Sequence, residues 1–192
     1  MKKLTVALIA LLGFLGVSAQ DSGVQPATFG ISIIYNDFTS AANVRKNNLG
    51  SVFKNKEFSK LKDMTPGLAV SYTKGINKSL DYSLTLSGSL VDYPVPNKVT
   101  YGNDGLLLEG DATIRGRMLP ANYLIVPYLQ TGVGVSNYRS YVGAYIPVGT
   151  GMQINVFDEA YLNIQAQYRI PATEVVAYHF WFGIGFSAKL TK

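Results

Sequence analysis

The chain has 192 residues, no cysteine, one histidine and a formal net charge of +5. One domain accounts for that length, and the absence of cysteine excludes disulfides, thiolate metal sites and a thiol nucleophile. Much of the basic excess falls between Arg45 and Lys62, with no known nucleic-acid motif around it, so no nucleic-acid partner is expected.

The N-terminus reads as a secretory leader. Lys2 and Lys3 precede an apolar run over Leu4–Val17, and Val17-Ser18-Ala19 places small or short residues before a cleavage after Ala19. The run is short of the roughly 20 apolar residues of a spanning helix. No cysteine follows it, so a lipid anchor is not expected. Residues 1–19 are therefore assigned to a signal peptide and residues 20–192 to a single domain. No later hydrophobic run is long enough to cross a membrane as a helix, so any crossing must use strands.

Eight strands follow: Thr28–Phe38, Pro66–Gly75, Leu80–Asp92, Leu106–Arg117, Tyr123–Ser136, Gly143–Ile154, Ala160–Arg169 and Ala177–Leu190. Each is near the 9–11 residues or so of a tilted transmembrane strand. The pattern predicts an all-β, eight-stranded antiparallel up-and-down barrel. The first and third connections are long. The second is a tight turn at Asn77-Lys78, the fourth is short around Pro120-Ala121-Asn122, and the sixth is a turn at 155–159. The fifth (137–142) and seventh (170–176) read as intermediate. Longer odd-numbered connections match outer-membrane barrels, whose outer loops exceed their periplasmic turns. The first connection also contains Val44, Leu49, Val52, Phe53, Phe58 and Leu61, which suggests one or two short helices capped at Ser40. Its basic residues suit anionic lipid headgroups, or a solvated face.

The two strand faces differ in kind. Along the third strand Leu80, Tyr82, Leu84, Leu86 and Leu90 fall on one side, and Asp81, Ser83, Thr85, Ser87 and Ser89 on the other. A soluble ligand-binding barrel would turn a Lys- and Glu-rich face to water. Here the polar face is mostly small and uncharged, as in Gly30 and Ser32, Ala69 and Ser71, Gly132 and Gly134, Gly149 and Gly151, and Gly183 and Gly185. Such residues suit the crowded interior of a narrow barrel. The other face is continuously apolar, and Tyr35, Tyr72, Tyr82, Tyr123, Tyr168 and Tyr178 lie where interfacial aromatic girdles would run.

The inner face carries six charges: Asp81, Glu109, Asp111, Arg115, Arg117 and Arg169. Antiparallel topology sets Asp81 near Arg117, and Glu109 or Asp111 at the depth of Arg169. Charges buried there need partners, so internal ion pairs plugging the lumen are expected. His179 and Trp181 form a further inward polar site near the outer end of the last strand. Glu174 or Glu109 would orient His179 in a hydrolase, but no serine is placed as nucleophile, and a hydrogen-bonded interior histidine is the expected reading. No metal-ligand spacing and no phosphate-binding loop is present, so no cofactor and no catalytic residue is assigned.

The stretches Asp37–Arg45, Asp63–Ile76, Leu106–Ala112, Val126–Val135, Gly143–Gly151, Asn155–Tyr161 and Gln167–Pro171 resemble the N-terminal barrel of OmpA-family outer-membrane proteins of the Bacteroidetes type. The resemblance covers nearly all of the chain after the leader. It implies an outer-membrane barrel, surrounded by lipid and inserted by the barrel-assembly machinery. Many relatives continue into a peptidoglycan-binding domain. This chain stops at Lys192, so peptidoglycan anchoring is not carried over. The closing segment after Phe186 matches the usual C-terminal assembly signal only in part. The expected role is a non-enzymatic structural or surface-interaction barrel. A small gated pore, a lipid-modifying hydrolase and a soluble periplasmic ligand-binding barrel stand as alternatives.

Overall fold

Alternation of apolar and polar residues from Thr28 onward gives each strand two chemically different faces, and the sheet curls until its edges meet. The computed structural model describes residues 23–47, 49–55, 58–96, 104–157 and 160–190. The expected leader lies outside them. The strands are β1 (Thr28–Asp37), β2 (Thr65–Gly75), β3 (Leu80–Val91), β4 (Gly105–Arg117), β5 (Ile125–Tyr138), β6 (Tyr141–Phe157), β7 (Ala160–Pro171) and β8 (His179–Lys189). Each pairs antiparallel with its sequence neighbours, and β1 pairs with β8 from Thr28↔Lys189 to Asp37↔Phe180. Closure leaves no free strand edge. An even number of strands brings the start of β1 and the end of β8 to one rim, the terminal end; the other rim is the distal end.

The connection between β1 and β2 holds two helices, α1 (Phe38–Asn47) and α2 (Leu49–Lys54), then a 3-10 turn over Leu61–Asp63. Two helices fit the expected one or two, and the cap differs from the expected Ser40. Asp37, not Ser40, caps α1: its Oδ1 accepts the Ser40 N–H at 2.7 Å. The Ser40 hydroxyl instead accepts the Ser59 N–H at 2.9 Å and ties the connection back onto the helix.

The fifth connection differs most from expectation. β5 and β6 run on until only Arg139 and Ser140 separate them, with Tyr138 paired to Tyr141. Tyr138 is buried against Tyr93 at 5.2 Å between ring centroids, which rewards extending the hairpin. Arg139 takes the positive φ, 54°, that a two-residue hairpin turn demands. The fourth connection, residues 118–124, is longer than this fifth one, so the odd-over-even alternation in loop length is not regular.

The faces sort as the alternation implies. Phe29, Ile31, Ile33, Leu68, Leu84, Leu86, Val133 and Phe186 are exposed on the outside. Ser32, Thr73, Asp81, Ser83, Ser87, Glu109, Gln130 and Ser187 are buried inside. The interior is less uniformly small than expected. Tyr128, Tyr138, Tyr145, Tyr161 and Trp181 point inward and are buried, as is Ile34. Glycine makes room for them across the strand pair. Gly134 sits opposite Tyr145 and Gly151 opposite Tyr128, and a Cβ on either glycine would run into the facing ring.

Candidate functional site in the barrel lumen

The lumen is filled by side chains at three levels. At the terminal end, Arg117 on β4 reaches Asp81 on β3, with Nε 2.9 Å from Oδ2. The same guanidinium donates to the backbone carbonyls of Asn77 at 2.9 Å and Gly23 at 3.3 Å. It thereby holds both the β2–β3 turn and the segment that leads into β1. That segment crosses the rim: Gly75 N–H donates to Gln25 O at 2.9 Å, and Gln153 Nε2 donates to Gln25 Oε1 at 3.0 Å.

The middle level is a neutral amide hub around one cation. Gln165 Oε1 accepts from Gln130 Nε2 at 3.2 Å, from Tyr128 Oη at 3.3 Å and from Arg115 Nη2 at 3.4 Å. Arg115 also donates to Gln130 Oε1 at 3.2 Å and Thr73 Oγ1 at 3.3 Å, and lies over the Tyr128 ring. Arg115 faces Asp81 in register, but Arg117 occupies that carboxylate. Its direct partners are therefore neutral oxygens and a ring face, not the ion pair expected of it.

The distal level is ionic. Arg169 on β7 bridges two carboxylates of β4: Nη1 pairs with Glu109, and Nη2 lies 3.0 Å from Asp111 Oδ2. Tyr145 Oη donates to the same Asp111 oxygen at 3.3 Å. The guanidinium is held between the Tyr145 and Trp181 rings, 4.9 Å from each centroid. His179 Nε2 is 3.4 Å from Glu109 Oε1, and its Nδ1 is 3.0 Å from Ala177 O. Glu174 is exposed on the connection after β7, so of the two candidate partners for His179 the structure places Glu109 there. Phe38 covers the histidine ring at 4.7 Å, and Tyr93 packs edge-on against Phe38. Phe38 at the start of α1 and Tyr93 just after β3 thus roof the lumen.

Across the three levels the lumen holds three arginines and three carboxylates, of which Arg117 and Arg169 form the ion pairs. Arg117 and Arg169 answer burial with direct ion pairs and Arg115 with neutral acceptors, the kind of pairing that buried charges require, while Asp111 Oδ1 has no hydrogen-bond partner. His179 has a carboxylate and a carbonyl as neighbours, an arrangement that fixes its ring. The members not anticipated are Gln130, Gln165, Tyr128, Tyr145 and the Gly23–Gln25 segment. Strand parity carried the signal for all but the last: Tyr145 alternates inward between Gly143 and Pro147.

No protein-family model and no curated protein matches the chain. Solved structures do match. The outer membrane protein OprG from Pseudomonas aeruginosa aligns with a TM-score of 0.58 and 12% identity, covering 90% of this chain and 100% of that one. Neisserial surface protein A aligns at 0.53 and 14% identity, covering 88% and 98%. Ail, the attachment invasion locus protein of Yersinia pestis, aligns at 0.52 and 12% identity, covering 88% and 99%. At these identities the likeness is one of fold: the chain is an eight-stranded antiparallel closed barrel of the architecture those proteins share.

Proposed function

We propose that the chain is an exported outer-membrane barrel with a structural or surface-interaction role, its lumen plugged by the ionic and amide layers. The observation that carries this reading is the inversion of its faces: large apolar side chains outside, charges and amides buried within. A water-soluble barrel places polarity outward, whereas a bilayer requires an apolar exterior band and internally satisfied backbone. The half-exposed tyrosines support it. Tyr72 and Tyr82 pair near the terminal end, and Tyr168 and Tyr178 near the distal end, as two interfacial belts would. In this reading the distal rim faces outward, and its helices and connections present the interaction surface. The names of Neisserial surface protein A and of the attachment protein Ail are in keeping with such a role.

The test is expression with the leader, isolation of outer membranes, and gel mobility with and without boiling, followed by planar-bilayer recording. A heat-dependent shift in the membrane fraction with no steady conductance is expected. Recovery in the soluble pool overturns the membrane assignment. A steady conductance from folded protein overturns the plug in favour of a pore.

A further inference from the structure

The outer wall is not evenly filled. A groove of about 520 Å³ crosses it obliquely from Tyr35 on β1 to Pro127 on β5. It spans four inter-strand spacings, on the order of 19 Å. Its floor comes from two small side chains in register on neighbouring strands, Thr150 on β6 facing Ala166 on β7, and Phe182 on β8, opposite Ala166, walls it on the far side. Met152, Ile164 and Ile184 stand around this floor. Thr150 would bring a polar group to an apolar wall, but its hydroxyl is already donated to Tyr128 O at 3.0 Å. The floor therefore presents a methyl group with no unmet hydrogen bond.

A line of aromatic rings leads from the groove to a cation. Phe182 is followed by Phe180 at 6.1 Å, Phe180 by Tyr168 at 4.8 Å, and Tyr168 by Tyr178 at 5.9 Å. Arg45 of α1 lies 4.0 Å over the Tyr178 ring and is exposed at the distal rim, with Lys46 beside it in sequence and also exposed. An apolar trough joined along one wall to a basic rim is complementary to a molecule with a hydrocarbon chain and an acidic head.

We propose that this wall is a specific site for one anionic membrane lipid, with an acyl chain in the groove floored by Thr150 and Ala166 and its phosphate at Arg45. The proposal rests on the membrane reading above. Hydrocarbon is the medium that reaches this depth of the wall, and the rim cation orients the lipid to the leaflet on the distal side. Glu174 flanks the same cleft as Arg45, so the guanidinium and not a broad basic field makes the head contact.

The test uses the folded chain in phosphatidylethanolamine vesicles doped with phosphatidylglycerol bearing a diazirine on its acyl chain. Heat-dependent mobility confirms insertion before labelling, so a failed membrane reading is seen separately from a failed site. After photolysis, label is expected to concentrate on peptides containing 150–152, 164–166 and 182–184. Ala166→Phe, an outward substitution that fills the floor, is expected to remove that label while leaving the mobility shift intact. Diazirine-phosphatidylcholine is expected to label less, and Arg45→Ala to abolish the difference between the two lipids. Label spread evenly to the opposite wall at Leu84 and Leu86 on β3 overturns the site. So does unchanged labelling of Ala166→Phe, or cross-linking of two copies of the chain through this face. Equal labelling by the two lipids overturns the role of Arg45.

Discussion

Arg117 and Asp81 form an ion pair that also latches the chain's entry into the barrel. The two side chains are almost fully buried, and Arg117 spends its remaining donors on the carbonyls of Gly23 and Asn77. Removing one partner strands the other charge in a sealed interior, which costs about 3–5 kcal/mol in buried pairs. Asp81→Leu and Arg117→Met are each expected to lower the unfolding free energy, extrapolated from urea titration of the folded barrel, by an amount in that range. The double variant should lose less than the sum of the two, because no unpaired charge remains. Strict additivity would mean that the pair is not coupled.

The facing of Gly134 and Tyr145 yields a second expectation. A Cβ at Gly134 has no room beside the ring, whereas a Cβ at Gly110 on the outer face meets Leu86 Cδ1 at an ordinary 3.8 Å. Overpacking a filled interior costs about 1–3 kcal/mol. Gly134→Ala is expected to destabilise by that order. Gly110→Ala should be neutral or slightly stabilising, since glycine weakens a strand. Equal effects in denaturant titrations would show that the interior yields freely around Tyr145.

Much of this was legible in the chain because a strand's period of two is simple to read and one face is apolar throughout. The parity that put Asp81 inside also put Arg117 inside, and antiparallel order set them at one depth. What parity does not give is which partner a side chain reaches across the lumen. Arg115 sits opposite Asp81 yet bonds to Gln130, Gln165 and Thr73, because the longer reach from Arg117 claims the carboxylate. Hairpin ends were misread for a related reason. The burial of Tyr138 against Tyr93 is a contact between segments far apart in sequence, and it outweighs the local turn signals around Asn137. Ser40 looked like a cap from spacing alone, but the strand ends at Asp37, one residue before the expected Phe38, and the helix starts directly behind it.

The outward face can be tested by depth. Leu86 lies midway along β3 and is exposed, while Leu106 is exposed at the distal end of β4. A charged side chain on the lipid face of a spanning barrel costs about 2–4 kcal/mol at the midplane and about 0–1 near an interface. Leu86→Arg should therefore be much more destabilising than Leu106→Arg when refolding is measured in vesicles. A barrel whose outer face meets water would tolerate both equally.

Tyr93 gives an expectation in pH. It lies beyond the end of β3, buried under the distal roof, and its hydroxyl accepts the Ala177 N–H at 2.7 Å. Burial pushes its ionisation up from an ordinary 10.0 to about 12. Between those values the unfolded chain has released this proton and the folded chain keeps it. The unfolded state binds fewer protons, so stability falls as pH rises through that window, by up to about 1.4 kcal/mol per pH unit for one group. Below pH 10 the contribution is intact. Tyr93→Phe removes the titrating group, so the difference between wild type and variant isolates it from the other tyrosines. That difference is expected to shrink steadily between pH 10 and 12, as the wild type loses its advantage. A constant difference across the window would place the Tyr93 hydroxyl in contact with water and open the roof over His179.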